Sequence, residues 1–434
     1  MRLNILIVLS LLGGIGVADD QGLTLSEAVK IASENSPELR QSNLAMHSAG
    51  LGRMEAISAH LPHIDLHGTH FLDAKYSELR VSLGGAIVEF PTAYPQSDFT
   101  FEASLLLFDG FGAINQFRAA RLEYEAAKLE LEDARFRLEE NINVLFQKAL
   151  AAQEFVKVAE QKIETLEQHL QLAQVNQKVG FSTNVDVLRI EALLEEARAD
   201  KILAVDNVLI AKNELYQALG VEEDARPIVG TLLIPESTKA FEDLKLELSE
   251  RRDVSAQVLR EDKQYRLAAA SKSEFFPRVT LFAAGQFYKY GDFDPAVLPS
   301  YHFYNAYSVG LRVSWNLFNG GGSIAKSKRA HDFAKSKVEQ TRKLLIASPH
   351  EFELWKRKFI YNVALYSARK RAEEKSAESV RLATIAVKAG TKTHAEALDA
   401  EQELFRARAG VIQAQVGAAE ALSKLEVALG HRVN

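Results

Sequence analysis

The residues best suited to chemistry are four histidines near the start of the chain: His60, His63, His67 and His70. Imidazole is a common metal ligand, and Asp65 stands between the middle two histidines. In a β-strand, however, side chains four residues apart lie about 13 Å from each other, because each residue advances the chain by about 3.3 Å. His63 and His67 therefore cannot share one ion directly, and the sequence predicts no metal site here.

A second pattern with chemical potential is the glycine run at residues 320–322, which opens a predicted helix. A phosphate-binding loop would place a lysine at the helix start, and none is present. A bend between a strand and a helix accounts for these glycines. Since the 11 histidines are otherwise scattered, the chain shows no catalytic set. We expect no enzymatic activity and no cofactor.

The composition narrows the possible classes of protein. The formal net charge is −6, so there is no basic surface for nucleic acid, and we expect no nucleic-acid partner. The chain has 0 cysteines, which excludes disulfides, thiolate metal sites and lipid attachment at a processed cysteine. Scarce proline, at 10 residues, together with abundant alanine, leucine and charged residues, favours long helices.

The first 18 residues read as a secretory signal peptide. Arg2 supplies the positive end, an apolar run follows, and small residues ending at Ala18 suit cleavage. The alternative is an uncleaved signal anchor. No later stretch approaches the roughly 18–20 apolar residues that a membrane-spanning helix needs. The sequence thus predicts an exported protein without membrane helices.

The chain repeats itself at a constant offset of 210 residues. Leu107-Phe108-Asp109-Gly110-Phe111-Gly112 returns as Leu317-Phe318-Asn319-Gly320-Gly321-Gly322, and Leu219-Gly220 returns as Leu429-Gly430. A constant offset over such a length indicates regular structure, because loops absorb insertions and long helices do not. The fold is therefore predicted to be a tandem duplication of one unit.

Each repeat is predicted to hold a first helix, two strands, a long helix and a return helix. The first repeat covers 19–220, with strands within 62–108, the long helix over 113–179 and the return helix over 184–219. A linker covers 221–248. The second repeat covers 249–434, with strands within 277–318, the long helix over 322–389 and the return helix over 393–429. A helix of about 67 residues would be on the order of 100 Å long.

The long helices carry the spacing of a coiled coil. Apolar residues alternate at intervals of four and three in the first of them: Leu138, Ile142, Leu145, Ala149, Ala152, Val156, Ala159, Ile163, Leu166, Leu170 and Ala173. The return helices keep the same rhythm. Sustained spacing of this kind predicts antiparallel helical hairpins that turn at Gly180 and Gly390. Helices of matched height favour an α-helical barrel.

The strand segments alternate strictly. From Tyr307 to Leu317 every odd position is apolar or aromatic and every even position is polar or glycine, and residues 99–105 repeat the pattern. Such strands suit a barrel with lipid outside and water inside, although a half-buried strand of a soluble sheet has the same period. Four strands per chain cannot close a barrel, which takes about eight. An open edge in lipid is forbidden, so the barrel must be shared between chains, and three chains would give twelve strands.

These features resemble the outer membrane efflux protein family, the TolC family. The resemblance rests on the duplicated Leu-Phe-Asp/Asn-Gly-x-Gly junctions and on the Gly-x-x-x-x-x-Asp/Glu-x-Leu turns, and it covers nearly the whole mature chain. It implies a homotrimer with a twelve-stranded β-barrel in the outer membrane and an α-helical barrel in the periplasm. It also implies a passive exit duct that works with a periplasmic adaptor, or membrane fusion, protein and an inner-membrane pump of the RND or ABC type.

The resemblance also implies roles for residues at the two turns. The acidic positions that narrow the periplasmic entrance fall on Glu396 and Asp399, and the charged contact between the turns falls on Asp186 and Lys392. The adaptor-docking tips fall on six residues, which are Val179, Gly180, Phe181, Ala389, Gly390 and Thr391. The alternative for the charges is a solvated helix face, and the glycines could serve only as helix terminators.

Two other functions stay open at this point. An exported coiled-coil adaptor or adhesin would explain the helices, but it leaves the alternating strands unexplained. A type I secretion duct for polypeptides would share the fold of a drug or metal efflux duct, and the fold alone does not separate those cargoes.

Overall fold

The computed structural model of the chain describes residues 22–72, 78–91, 97–179, 182–222, 226–234, 239–289, 302–389 and 391–433. The predicted signal peptide over 1–18 lies outside these residues. So do three of the six predicted tip residues, Gly180, Phe181 and Gly390.

Long helices dominate the described chain. Its helices are α1 (Leu25–Asn35), α2 (Pro37–Ser58), α3 (Gly112–Lys178), α4 (Asn184–Leu219), α5 (Lys239–Glu242), α6 (Arg252–Ser271), α7 (Gly322–Lys388) and α8 (His394–Leu429). A short 3-10 helix follows α6 at Lys272–Phe275. The two long helices have 67 residues each, and the two return helices have 36 each. None of the described helices combines the length and the apolar character needed to cross a membrane.

The strands fall into a sheet and a separate hairpin. They are β1 (His63–His70), β2 (Glu78–Leu83), β3 (Ala86–Pro91), β4 (Ser97–Phe108), β5 (Arg278–Lys289) and β6 (Tyr304–Ser314). The main sheet is antiparallel in the order β1-β4-β5-β6 and draws two strands from each repeat. The β2–β3 hairpin lies between the two strands of the first repeat and was not predicted, and Gly84 and Gly85 turn it with positive φ. Apart from this hairpin, the predicted fold class is confirmed.

Short helices at the start of each repeat dock on the long ones. Thr24 caps α1: its backbone amide donates to the Glu27 carboxylate at 3.0 Å, and its hydroxyl accepts from the Glu27 amide. Ser36 ends α1 and caps α2, and Pro37 begins α2 because a first-turn residue needs no amide donor. The helices α1, α2 and α6 all pack on α3.

The apolar core lies between the helices of each hairpin. One cluster at mid-height joins α1, α3 and α4 with Leu23, which precedes α1, and Ile228, which follows α4. It also contains Ile142, Phe146, Leu215 and Leu219. A second cluster near the turns joins α3 and α4 and includes Leu398 of α8. A third joins α7 and α8 around Phe352, Phe359 and Leu425. These clusters follow the predicted coiled-coil spacing and fix the hairpins that carry the turns.

Candidate functional site

Both return helices begin with a capping box. The Thr183 hydroxyl accepts from the Asp186 amide at 3.2 Å, and the Asp186 carboxylate accepts from the Thr183 amide at 2.9 Å. Thr393 and Glu396 repeat this arrangement at 3.3 and 2.9 Å. Sequence reasoning missed it, although a threonine followed three residues later by an acid is its known signal. Two predicted gate residues therefore also hold the helix ends.

The caps keep these two carboxylates charged. The hydrogen bond from the Thr183 hydroxyl, followed by that from its amide, holds the pKa of Asp186 below its usual range. The Thr393 amide and then its hydroxyl do the same to the pKa of Glu396. Hydrogen bonds to a carboxylate favour its ionised form, and the helix N-terminus favours negative charge there.

The structure does not bring Asp186 and Lys392 together within the described part of this chain. Lys392 Nζ lies 3.7 Å from Glu396 Oε1, on its own side of the turn, and Asp186 is occupied by its cap. An Asp186–Lys392 contact therefore stays a prediction for the assembled protein.

Asp399 has a partner that the sequence analysis did not identify. Arg189 Nη2 on α4 lies 3.2 Å from Asp399 Oδ1 on α8, and both side chains are more than half exposed. The two residues are 210 positions apart, so they occupy equivalent places in the two repeats. The repeat offset was the available signal, because it places an opposite charge at the same position of the other turn. One of the two acidic positions that the resemblance assigns to the entrance is therefore paired with a cation.

The end of the second hairpin rests on the first. Leu398 of α8 is buried in the cluster formed by α3 and α4, and such burial contributes about 1.5–3 kcal/mol for a leucine. Two polar contacts join α3 to α8 beside it. His169 Nε2 lies 2.9 Å from Glu401 Oε1, and Asn176 Nδ2 lies 3.3 Å from His394 Nε2. The structure therefore places the first turns of α8 beside α3 and α4.

The tip residues that the structure describes, Val179, Ala389 and Thr391, are exposed. Val179 is exposed at the end of α3. At the second turn the Thr391 amide and hydroxyl both donate to the Ala386 carbonyl, at 2.9 and 3.0 Å, and Ala389 ends α7. Thr391 thereby closes the carbonyl end of α7.

At the opposite end of the molecule, the main sheet has one apolar face. The pairing register places Leu66 beside Phe101, Phe101 beside Gly285, and Leu281 beside Leu311. Large apolar side chains on this face stay exposed, up to 90% for Tyr307. The exposed members are Ile64, Leu66, Phe99, Phe101, Leu281, Phe287, Tyr307, Val309, Leu311 and Val313. An apolar surface this wide requires a covering medium or partner.

The other face of the sheet is polar. Arg312 of β6 reaches across β5 to the Glu102 carboxylate on β4, at 2.7 and 3.2 Å. Its guanidinium passes over the Phe282 ring at 4.6 Å, so it lies along the sheet. Gln286 Nε2 donates to Asp98 at 2.6 Å on the same face. The sheet therefore separates an apolar side from a charged and hydrogen-bonded one.

Both strand-to-helix junctions use an amide-capping side chain. Asp109 Oδ2 accepts from the Ala113 amide at 2.8 Å, and Asn319 Oδ1 accepts from the Ser323 amide at 3.2 Å. The residue before each long helix is left-handed: Phe111 with φ 66° in one repeat and Gly321 with φ 87° in the other. This bend aims the sheet along the helical body.

In the described residues, no three His, Cys, Asp or Glu side chains come together to hold a metal ion.

Comparison with known proteins gives this geometry a family. The family model described as outer membrane efflux protein matches residues 28–221 and 244–431. The chain is 28% identical over 273 residues to the alkaline protease secretion protein AprF of Pseudomonas aeruginosa, covering 60% of this chain and 54% of AprF. It is 25% identical over 279 residues to the outer membrane protein TolC of Vibrio cholerae, covering 60% of each. The matched region thus spans just over half of these relatives' length.

Solved structures share the fold across nearly the whole chain. CusC aligns with a TM-score of 0.77 at 17% identity, covering 94% of this chain and 92% of CusC. VceC of Vibrio cholerae aligns at 0.75 and 17%, covering 94% and 97%. The open state of MtrE of Neisseria gonorrhoeae aligns at 0.71 and 18%, covering 94% and 89%. The chain therefore belongs to the outer membrane efflux protein family and is an outer membrane protein.

Proposed function

We propose that this protein is the outer membrane exit duct of a tripartite efflux or type I secretion system. It passively conducts substrates out of the periplasm, and no step in it requires catalysis. The observation that carries the proposal is the two-faced sheet mounted on the end of a helical body about 100 Å long. Lipid would cover the apolar face, and water would fill the space on the polar face.

The sheet requires other copies of the chain to work in a membrane. Its edge strands β1 and β6 have no outer neighbour in the described structure, and a lipid-exposed edge leaves backbone groups unsatisfied. Four strands are too few to close, whereas three copies supply twelve. A homotrimer with a shared twelve-stranded barrel is the smallest closed arrangement that the family resemblance supports.

The helices give a second reason for assembly. α7 packs on α6 and α8, while its remaining surface exposes Phe333, Ile346, Leu354 and Tyr361. α4 exposes Ile202, Leu203, Leu209 and Ile210 in the same way. A ring in which α7 of one chain packs near α4 of the next would cover both sets and form an α-helical barrel.

The entrance of the duct would lie at the two turns. Per chain, Asp186, Glu396 and Asp399 bring three negative charges, and Arg189 and Lys392 bring two positive ones. Three chains would bring a net charge of −3 there. That is half of the −6 that the carboxylates of Glu396 and Asp399 would bring alone. The entrance would still favour cations, but Arg189 lowers that preference.

The tips would dock the periplasmic adaptor protein. Val179, Ala389 and Thr391 are exposed at the ends of the hairpins, and Gly180, Phe181 and Gly390 adjoin them in sequence. An adaptor would connect these tips to an inner-membrane pump of the RND or ABC type. Replacing Gly180 or Gly390 with a bulky residue should abolish export and leave the trimer intact.

Single-channel conductance in a planar bilayer tests the duct directly. The wild type should give small, cation-selective openings. Glu396→Ala/Asp399→Ala should conduct more and lose its cation preference, because the net charge of the five entrance positions in three chains changes from −3 to +3 and ring charges set selectivity. Arg189→Ala should instead raise the cation preference, because it leaves Asp399 uncompensated.

Glu403→Ala is the matched control for that experiment. Glu403 lies on the same helix one turn above Asp399 and pairs with Arg406 at 2.6 Å. Its removal should leave conductance and selectivity unchanged. A folded trimer of the wild type that never conducts would reject the duct and support an exported coiled-coil scaffold or adhesin.

The name of one relative favours a polypeptide cargo. AprF is a secretion protein for an alkaline protease, whereas other family members are described as efflux proteins. A type I secretion duct is therefore the second candidate within the same fold. Deleting the gene and comparing secreted protein with drug sensitivity separates the two: loss of one exported polypeptide without a change in sensitivity would favour secretion.

A further inference from the structure

An open cleft lies where the main sheet meets the starts of α3 and α7. Its volume is about 770 Å³, which is within the range of small-molecule sites. This junction cleft is lined by Gln116 of α3, by Phe276 and Arg278 around the start of β5, and by Ser314, Trp315 and Asn316 at and after the end of β6. It is therefore separate from the entrance at the two turns.

The junction cleft opens on the polar face of the sheet. The register pairs Arg278 with Ser314 and Thr280 with Arg312, and Arg312 lies over the Phe282 ring on that face. Because side chains alternate along a strand, Arg278 shares the face of Thr280 and Phe282. Water would cover this face in the proposed duct, so a dissolved molecule inside the duct would reach the cleft.

Arg278 carries a charge that nothing in the cleft neutralises. Its side chain is exposed, and its guanidinium forms no hydrogen bond or ion pair with any residue that the structure describes. The two carboxylates that also line the cleft are occupied: Asp109 accepts from the Ala113 amide at 2.8 Å, and Glu274 pairs with Lys326. A guanidinium stays charged at all ordinary pH values, so the cleft carries a standing cation.

The start of α7 adds to this positive charge. The amide end of a helix carries a partial positive charge. In α3 the Asp109 carboxylate offsets that charge, because it accepts from the first turn. In α7 the corresponding side chain is the neutral Asn319, which accepts from the Ser323 amide at 3.2 Å, and both of these residues line the cleft. A negatively charged group is therefore favoured there.

Two aromatic side chains form the apolar part of the cleft. Trp315 is 57% exposed and Phe276 is 49% exposed. The Trp315 indole N–H donates to the Phe275 carbonyl at 3.3 Å, which holds the ring in place while much of its surface stays uncovered. Three further exposed side chains can donate hydrogen bonds to an anion, namely Gln116, Ser314 and Asn316.

We propose that the junction cleft binds organic anions that carry a flat apolar group. Arg278 pairs with the carboxylate or sulfonate, and Trp315 and Phe276 pack on the apolar part. Arginine suits this task because its planar fork holds two oxygens of one anion and its face stacks on aromatic rings. The proposal rests on the proposed function for the location of the cleft inside the duct, where molecules of this class would pause on their way through.

The first repeat does not supply a second cleft of this kind. Leu105 and Leu106 stand 210 positions before Trp315 and Asn316. Aliphatic side chains at these places provide neither the indole ring nor the amide. Three chains would therefore hold three junction clefts, one in each chain.

Trp315 itself reports binding. The chain has 2 tryptophans, and the other one, Trp355, lies about 50 Å down α7 from the start of that helix. Trp355→Phe therefore leaves Trp315 as the sole tryptophan. The aromatic anion 4-nitrobenzenesulfonate, which quenches indole fluorescence, should quench Trp315 of the detergent-solubilised trimer along a saturating curve. Arg278→Gln in the same background should weaken this binding about tenfold, because a charge-assisted contact is lost.

Three controls make the result specific. Arg371→Gln removes an exposed arginine from the lower half of α7 and should leave the affinity unchanged. Arg278→Lys keeps the charge without the planar fork and should lose about threefold in affinity. The neutral quencher 4-nitrobenzyl alcohol should quench the parent and Arg278→Gln equally. Quenching by the sulfonate that never saturates, or that is the same in Arg278→Gln, would overturn the proposal.

Single-channel current recorded with the same sulfonate separates this proposal from the duct. A current that the sulfonate reduces in the wild type, and not in Arg278→Gln, supports both. Saturable quenching in a trimer that never conducts keeps the cleft and rejects the duct. Normal conductance with quenching that does not saturate rejects the cleft alone.

Discussion

The two long helices have the same length of 67 residues and equivalent places in the repeat, but their surroundings differ. α3 packs on α1, α2, α4, α6 and α8, and alanines such as Ala119 and Ala126 are buried along it. α7 packs on α6, α8 and the adjoining 3-10 helix, and large apolar residues stay exposed on its other side. The two long helices therefore share their length because they are copies of one unit. They differ in which faces are covered because they have different neighbours in the fold.

This difference explains why the sequence of α7 is less regular. Arg369 and Glu373 stand at the places of Ala159 and Ile163 of α3. Gly410 of α8 lets the Arg369 side chain approach its backbone, and Arg408 lies 3.9 Å from Glu373. Polar contacts thus replace apolar ones in the second hairpin.

The largest expected effect comes from charging the uncovered face of α7. Phe333→Asp/Ile346→Asp should reduce the trimer fraction by about tenfold or more, because burying carboxylates without partners costs several kcal/mol. Native mass spectrometry in detergent measures the trimer. Phe333→Ala/Ile346→Ala is the control, because it shortens the same two side chains without introducing a charge. If the double variant assembles normally, α7 does not face a neighbouring chain.

Equivalent core leucines test whether the two hairpins are equally stable inside. Leu215 and Leu425 are both 0% exposed and lie 210 positions apart. Leu215→Ala and Leu425→Ala should each lower the free energy of unfolding by about 3 kcal/mol, through lost burial and a new cavity. Denaturant unfolding of the detergent-solubilised protein measures both. A loss at Leu425 below half of that at Leu215 would show a looser second core.

A buried carboxyl pair joins the two repeats, with Glu140 on α3 and Glu426 on α8. Burial, with help from the nearby Glu140 carboxylate, raises the pKa of Glu426 to about 7. Glu140 and Glu426 are both buried, and Arg432 donates to Glu140 at 3.1 Å, while the Val433 amide donates to Glu426 at 3.0 Å. The residue equivalent to Glu426 in the first repeat is Tyr216.

The raised pKa gives a pH dependence of known sign. A folded-state pKa above the unfolded one contributes stability that is full below the unfolded value and is lost as pH rises through 7. Glu426→Gln should therefore be more stable than the wild type by roughly 1–2 kcal/mol at pH 8 and about equal to it at pH 4.5. Thermal unfolding at the two pH values measures the difference, and Tyr216→Phe should show none. A constant offset between wild type and Glu426→Gln would contradict the assignment.

The smallest expected effect is at the junctions. Gly321 has φ 87°, and a side chain there would meet nothing within 4 Å, so Gly321→Ala should cost about 1 kcal/mol from the backbone alone. Phe111 has φ 66° at the equivalent position. Phe111→Gly should recover up to about 1 kcal/mol of strain, less the loss of its edge contact with the Phe108 ring. The two changes should move the melting temperature in opposite directions.

Much of the fold could be predicted because it depends on periodic burial. The spacing of Leu138, Ile142 and Ala149 determines which face of α3 is covered, and the alternation around Val309 and Leu311 determines the two faces of the sheet. Both patterns are local and can be read from one sequence. The β2–β3 hairpin was missed, and its strands are short, with six residues each.

The candidate site was harder to predict because its contacts join distant residues. Arg189 meets Asp399, and His169 meets Glu401, only because α8 packs beside α3 and α4. The repeat offset relates Arg189 to Asp399, but His169 and Glu401 are 232 positions apart, a separation that the repeat does not indicate. Asp186 and Glu396 are different, because the threonine of each capping box stands three residues before the acid and can be identified from the sequence alone.

Duplication gives the molecule a capacity that a single repeat lacks. Arg189 with Asp399 and Glu102 with Arg312 each join residues that are 210 positions apart, one pair at each end of the molecule. In a ring of six identical hairpins, any position that meets its own copy meets the same charge and repels it. Two copies in one chain can diverge, so that one takes the cation and the other the anion. The symmetry of such a ring then falls from sixfold to threefold. Each hairpin pairs favourably only with hairpins of the other repeat, which carry the opposite charge.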